Sequence, residues 1–171
     1  MKKNLLLALA LLIPVVIAGC IGSGTIVFVF DFEGLDSSDQ TFDSEHIILS
    51  ENSDYEDNKD KLKSVDAITL VGYIINHGTA DVMGEAWISD NLLGSIDEVR
   101  NNGTLIFESP VIPAGDSIFI DWSDGMEHIR NFAALEEQLK GDGDFYLYGI
   151  ASGSFHLEYQ LNLIVTITAG L

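Results

Sequence analysis

Apolar residues recur at alternate positions along most of this chain, and the places where the alternation stops mark its elements. "TIVFVFDF" (25–32) sets Ile26, Phe28, Phe30 and Phe32 against Val27 and Val29. β-branched and aromatic residues at period two predict a strand with at least one buried face. "TFDSEHIIL" (41–49) predicts a second strand. Residues 50–63 are polar and charged without a period, and predict a loop or a short helical turn. "VDAITLVGYIINHG" (65–78) predicts a central strand closed by an Asn-His-Gly turn, with "VMGEAWIS" (82–89) as its hairpin partner. Gly72 inside that strand signals a bulge or a close approach of backbone. "TLIFESPVI" (104–112) follows the turn signal Asn101-Asn102-Gly103, and Pro-Ala-Gly-Asp turns the chain into a strand at 117–122. "FYLYGIAS" (145–152) and "LEYQLNLIVTITA" (157–169) are the closing strands.

One stretch has a different period. Between Asp124 and Lys140 the apolar residues Met126, Ile129, Phe132, Leu135 and Leu139 fall at steps of three or four. That spacing predicts one amphipathic helix at about 125–139, capped by Asp124 with Glu127 three places on and stopped at Gly141. Short strands separated by turns, with no regular βαβ alternation, predict an all-β fold: an antiparallel two-sheet sandwich with that helix between late strands.

The first residues follow another pattern. Lys2 and Lys3 precede an uncharged apolar run from Leu5 to Ala18, which is the secretory arrangement and short for a membrane span. Pro14 would also break a spanning helix. The run ends in Ile17-Ala18-Gly19-Cys20, which resembles the lipobox of prokaryotic lipoproteins. The resemblance implies that residues 1–19 are a signal peptide, cut off before Cys20, whose thiol carries the lipid. Residues 20–24 would then be a flexible tether, and 25–171 an acidic domain held at an outer membrane or cell surface through two or more acyl chains.

Charge narrows the partners. The chain has 27 acidic and 8 basic residues, and residues 1–19 contain two of the basic ones and none of the acidic, so the remainder carries −21. Such a surface repels phosphates and excludes nucleic acid as a partner. Cys20 is the only cysteine, so no intramolecular disulfide forms and burial must supply the stability.

Candidate chemistry is sparse. The acidic segment contains Asp36, Asp39, Asp43, Glu45, Glu51, Asp54, Glu56, Asp57 and Asp60. Its "DYEDNKD" places oxygen side chains at the alternate positions 54, 56, 58 and 60, with Asp54, Glu56 and Asp60 as Ca²⁺ candidates, but a calcium hand counted from Asp54 would need Gly and Glu where Lys59 and Val65 stand. Asp142 and Asp144 in "GDGDF" are a second Ca²⁺ candidate pair, in a turn that Gly-Asp steps form without any ion. His46, His77, His128 and His156 share no short metal-ligand spacing. Ser154 and His156 fall on one strand face, without the nucleophile elbow or an orienting acid that hydrolysis needs. Trp87, Trp122, Tyr146, Tyr148 and Tyr159 are candidates for an aromatic carbohydrate face, against the ordinary alternative of core packing.

The second half is also similar to a known module in its order of elements. A strand ending in "NHG", a hairpin, "PVIPAGDSIFIDW", a helix, "GDGD" and "FYLYGIASG" before the last strand resemble the water-stress and hypersensitive-response (WHy) domain of LEA-2 proteins over about residues 65–168. Asn76-His77-Gly78 stands where that family has Asn-Pro-Asn. The resemblance implies an immunoglobulin-like order of strands and protective, structural or interaction roles, with no catalytic residues. The expectation is therefore a non-enzymatic, lipid-anchored envelope protein acting as an interaction or structural module, with a possible protein partner in the envelope. The alternative is a Ca²⁺- or carbohydrate-binding envelope lipoprotein.

Overall fold

Alternation in the last strand builds half of the core. In β8 (His156–Ala169) Leu157, Tyr159, Leu161, Leu163, Val165 and Ile167 are buried, and the residues between them are half-buried. Each such apolar side chain withdrawn from water stabilises the fold by about 1.5–3 kcal/mol before entropy is counted. The computed structural model describes residues 24–38, 42–151 and 156–169. Its other strands are β1 (Gly24–Ser38), β2 (Ser44–Ile48), β3 (Leu62–Asn76), β4 (Val82–Ser89), β5 (Thr104–Ile112), β6 (Ser117–Ile120) and β7 (Asp144–Ala151). They form two four-stranded antiparallel sheets, β1-β8-β3-β6 and β2-β7-β4-β5.

The all-β, two-sheet antiparallel sandwich is thus present. Its connectivity, however, is that of a jelly roll: β1 pairs with β8, β2 with β7, β3 with β6 and β4 with β5. An immunoglobulin-like sandwich keeps its first two strands side by side in one sheet. Here β1 and β2 lie in opposite sheets, and so do β3 and β4, so the expected immunoglobulin-like order is replaced and the hairpin expected between 65–78 and 82–89 is absent. Turn signals report where strands end, and carry nothing about which sheet the next strand joins.

Gly72 meets its expectation as a close approach. Its φ is +145°, and a Cβ there would stand 2.1 Å from the Gln160 carbonyl oxygen of β8. The bulges of β3 lie elsewhere, between Leu62 and Ser64 and between Val65 and Ala67. At the second, Asp66 is the extra residue, and its carboxylate accepts from Ser64 Oγ and Thr168 Oγ1 at 2.7 Å each. These hydroxyls hold the Asp66 carboxyl below its usual pKa. β3 begins at Leu62, inside the stretch predicted as loop. The rest of that stretch is a short helix α1 (Ser53–Glu56) between two 3₁₀ turns, capped by Asn52 and pinned where Tyr55 donates to the Leu139 carbonyl at 2.9 Å.

The outer face of the second sheet has a cover of its own. Helix α2 (Ile96–Asn102), which the turn signal at 101–103 concealed, lays Val99 over Tyr148 and Ile150, with Phe42, Trp87, Leu93 and Tyr146 around them. The helix predicted as one piece is two, α3 (Trp122–His128) and α4 (Phe132–Lys140). Asp121, rather than Asp124, caps α3, accepting from the N–H groups of Ser123 and Asp124. Between the helices Ile129 bridges Phe107, the Arg130 N–H donates to the Ile106 carbonyl at 2.7 Å, and Asn131 takes φ +44°. Three residues of helical pattern are recruited to satisfy the open edge of β5. The predicted apolar face breaks there: Leu135 and Leu139 are buried, while Met126 and Phe132 are exposed.

Candidate functional site

Strand ends and one helix border an open concavity. β3 and β4 are joined by a five-residue turn, so β4 runs back in the direction of the end where Gly24 begins β1. At the end of β4, α4 and the 141–144 turn stand beside β2 and β7 around an open cleft of about 770 Å³. Asp90, Glu137, Asp142 and Asp144 bring carboxylates to its lining, and no Lys or Arg is among the lining residues. Asn91, Asn102, Gln138 and Ser89 add amides and a hydroxyl.

Local chemistry explains how these groups are held. Gln138 Nε2 on α4 donates to Asp90 Oδ1 at 2.7 Å, which ties the helix to the β4 end. Asp142 Oδ1 accepts from the Asp144 N–H at 3.3 Å, the local bond that makes Gly-Asp turns. His46 Nε2 is 2.5 Å from Asp144 Oδ1, and its ring stacks on Tyr146 with centroids 4.4 Å apart at 11°. β2 and β7 are in register at His46 and Tyr146, which makes that stack a cross-strand pair. The cleft can attract cations and hydrogen-bond hydroxyls or amines. Ser89 Oγ is engaged as an acceptor for the Asn91 N–H.

The sequence candidates are distributed unevenly. Asp142 and Asp144 line the cleft. Asp54, Glu56 and Asp60 stand exposed on and after α1, and Glu56 pairs with Lys59 at 2.8 Å. Among the described residues no three His, Cys, Asp or Glu side chains stand together as a metal site. The five aromatic residues do not share a face. Tyr159 is in the core between the sheets, Trp87 and Tyr148 pack beneath α2, Tyr146 lines the cleft, and Trp122 is exposed at the start of α3. His128 leans edge-on against Phe107. His77 and His156, unrelated in sequence, come together, with ring centroids 5.1 Å apart. Cys20, Asp39 and Ser154 lie outside the described residues.

Residues 90, 91, 137 and 138 were missed because they become neighbours only through the sheet topology. No family model matches the chain, and no curated protein does. Among solved structures, a chain of Desmodium yellow mottle tymovirus is similar over 88% of this chain and 90% of its own, at 11% identity and a TM-score of 0.38.

Proposed function

We propose that this chain is a lipid-anchored envelope protein whose acidic sandwich is a non-enzymatic interaction module, and that the cleft receives a basic segment of a neighbouring envelope protein. The observation that carries this reading is the cleft's lining of four carboxylates without a lysine or arginine. Unbalanced charge of one sign in a concavity raises the local concentration of the opposite sign and steers association. The lipobox resemblance at Cys20 supports attachment, and only residues 21–23 separate that cysteine from β1. The cleft lies on the side of the sandwich toward which β4 runs, the direction of Gly24 and the anchor.

Two measurements test the reading. Mass spectrometry of the protein from native membranes is expected to find an acylated Cys20 as the first residue, and Cys20→Ser to leave the protein unanchored. Cross-linking in intact envelopes is expected to capture a partner through a basic segment. The Glu137→Gln/Asp142→Asn/Asp144→Asn variant should lose that capture, and added salt should weaken it. Capture unchanged by the three substitutions would refute the role of the cleft.

A further inference from the structure

The far end of the first sheet gathers a second set of groups. β1 runs about 45 Å along the sheet from Gly24 to Ser38. Ser38 lies opposite His156 on β8, and Leu157 opposite Asn76 on β3. His156 and Glu158 are two apart on β8 and therefore share a sheet face. Glu158 is in register with Ile75 on β3, and the His77 N–H donates to the His156 carbonyl at 2.8 Å, extending that ladder past Asn76. His77, two places beyond Ile75, falls on the same outer face. All three side chains are accessible to solvent.

Two of these groups already stand within reach of each other. His77 Nε2 is 3.0 Å from Glu158 Oε2, a separation at which both atoms can ligate one ion. Gln160 Nε2 donates to the other oxygen, Glu158 Oε1, at 2.8 Å and so orients the carboxylate, as an outer-shell partner does. The His156 ring centroid is 5.1 Å from that of His77, at 45°. The three groups do not converge on one point as they stand. A turn of the exposed His156 ring, away from the interaction it now makes, would complete the set.

We propose that His77, His156 and Glu158 bind a divalent transition metal of the zinc class, with water in the remaining position. Two imidazoles and one carboxylate suit Zn²⁺, Co²⁺ or Ni²⁺ rather than Ca²⁺ or Mg²⁺, which take oxygen ligands. The strongly negative chain raises the local concentration of any divalent cation, and the imidazoles select among them. The site does not depend on the cleft, with which it shares no lining residue.

The test is titration of the full chain in detergent with Zn²⁺ alone, in a Cys20→Ser background that removes the thiol. One equivalent is expected to bind at this site, with the ring resonances of His77 and His156 shifting and those of His46 and His128 unmoved. His77→Gln and His156→Gln should each weaken that binding at least about tenfold, whereas His46→Gln should leave it unchanged. These side chains are exposed, and circular dichroism verifies that each variant is folded. Absence of saturable Zn²⁺ binding overturns the proposal. So does binding that leaves the His77 and His156 resonances unmoved in the Cys20→Ser chain itself, which is decisive even where a variant misfolds.

Discussion

The hydroxyl of Tyr159, on β8, donates a 2.6 Å hydrogen bond to the carbonyl of Ile150, on β7 of the facing sheet. The ring reaches that sheet because two of its residues have no side chain. A Cβ at Gly149 would stand 3.0 Å from Tyr159 Cε2, and one at Gly84 would stand 3.3 Å from Cε1. Tyr159→Phe should cost about 1–1.5 kcal/mol by removing the bond from a buried carbonyl. Gly149→Ala should cost about 1–3 kcal/mol, since the wedged ring has little room to retreat. Urea midpoints at constant slope measure both, and an unchanged midpoint for Gly149→Ala would show that the ring is loosely held.

The same tyrosine makes stability depend on alkaline pH. Burial pushes the Tyr159 hydroxyl well above its ordinary pKa, and those of Tyr55 and Tyr148 rise for the same reason. Each folded phenol then keeps a proton that the unfolded one releases near its ordinary pKa of about 10. Their contribution is complete below that pH and declines as pH rises through it, by up to about 1.4 kcal/mol per pH unit for Tyr159 and by less for the other two. Melting temperature should therefore fall above pH 10, and fall less steeply in Tyr159→Phe than in the parent. Parallel curves would mean that Tyr159 does not titrate on unfolding.

Asn76 does for one end of the sandwich what Tyr159 does for its middle. Fully buried at the end of β3, it donates Nδ2 to the carbonyls of Ala80, Ile112 and Pro113 at 2.9–3.1 Å, and accepts the Gly78 N–H at 2.8 Å. Asn76→Ala should cost about 3 kcal/mol by stranding those groups. Asn76→Asp should cost more at neutral pH, because it aims a carboxylate at three carbonyls. Thermal melts rank the two, and an Asp variant as stable as the parent would contradict the bonding pattern.

What the residues disclose and what they withhold follows from the range of the interactions. The strict alternation of β8 and the turn chemistry around 113–116 are local, and they predict strands that form. Sheet membership is not local, which is why a jelly roll could be taken for an immunoglobulin-like order. Helix α2 had a legible start, since Ser95 Oγ accepts from the Glu98 N–H at 3.2 Å as a cap does, with Glu98 Oε2 reaching back to the Gly94 N–H. It lacked a stripe, because Val99 is its only fully buried residue. The cleft was half legible through Asp142 and Asp144. His77 and His156 meet across strands that the sequence alone does not pair.

The break between α3 and α4 predicts an unusual ranking at Asn131. Its left-handed φ of +44° favours glycine, but its Nδ2 also donates to the Leu105 carbonyl at 2.7 Å. Asn131→Gly loses only the bond, while Asn131→Ala loses the bond and adds strain of about 1 kcal/mol. Alanine should therefore destabilise more than glycine despite its helix propensity. The opposite order in a urea titration would mean that helix runs through 129–131 in solution.

The Glu85 carboxylate differs from the surface charges in its burial. Glu85 on β4 is nearly enclosed; its Oε2 accepts from Trp87 Nε1 at 2.8 Å and stands 3.8 Å from Arg100 Nε, while Arg100 on α2 also donates to the Ala151 carbonyl. Arg100→Ala removes the only cation paired with that carboxylate among the described residues. Because Arg100 is 38% exposed, water can recover part of the loss, and the cost should be about 2 kcal/mol rather than the 3–5 of a fully buried pair. Trp87 should report it by a red-shifted emission, measured with Trp122→Phe to silence the exposed indole. Adding Glu85→Gln to Arg100→Ala should restore part of the stability, since no charge is then left uncompensated. Lys140→Ala, at the exposed Lys140–Glu136 pair, should change stability by less than about 0.5 kcal/mol. If Arg100→Ala is as mild as Lys140→Ala, the Glu85 charge is held by Trp87 and backbone alone, and α2 is a cover that electrostatics does not fasten.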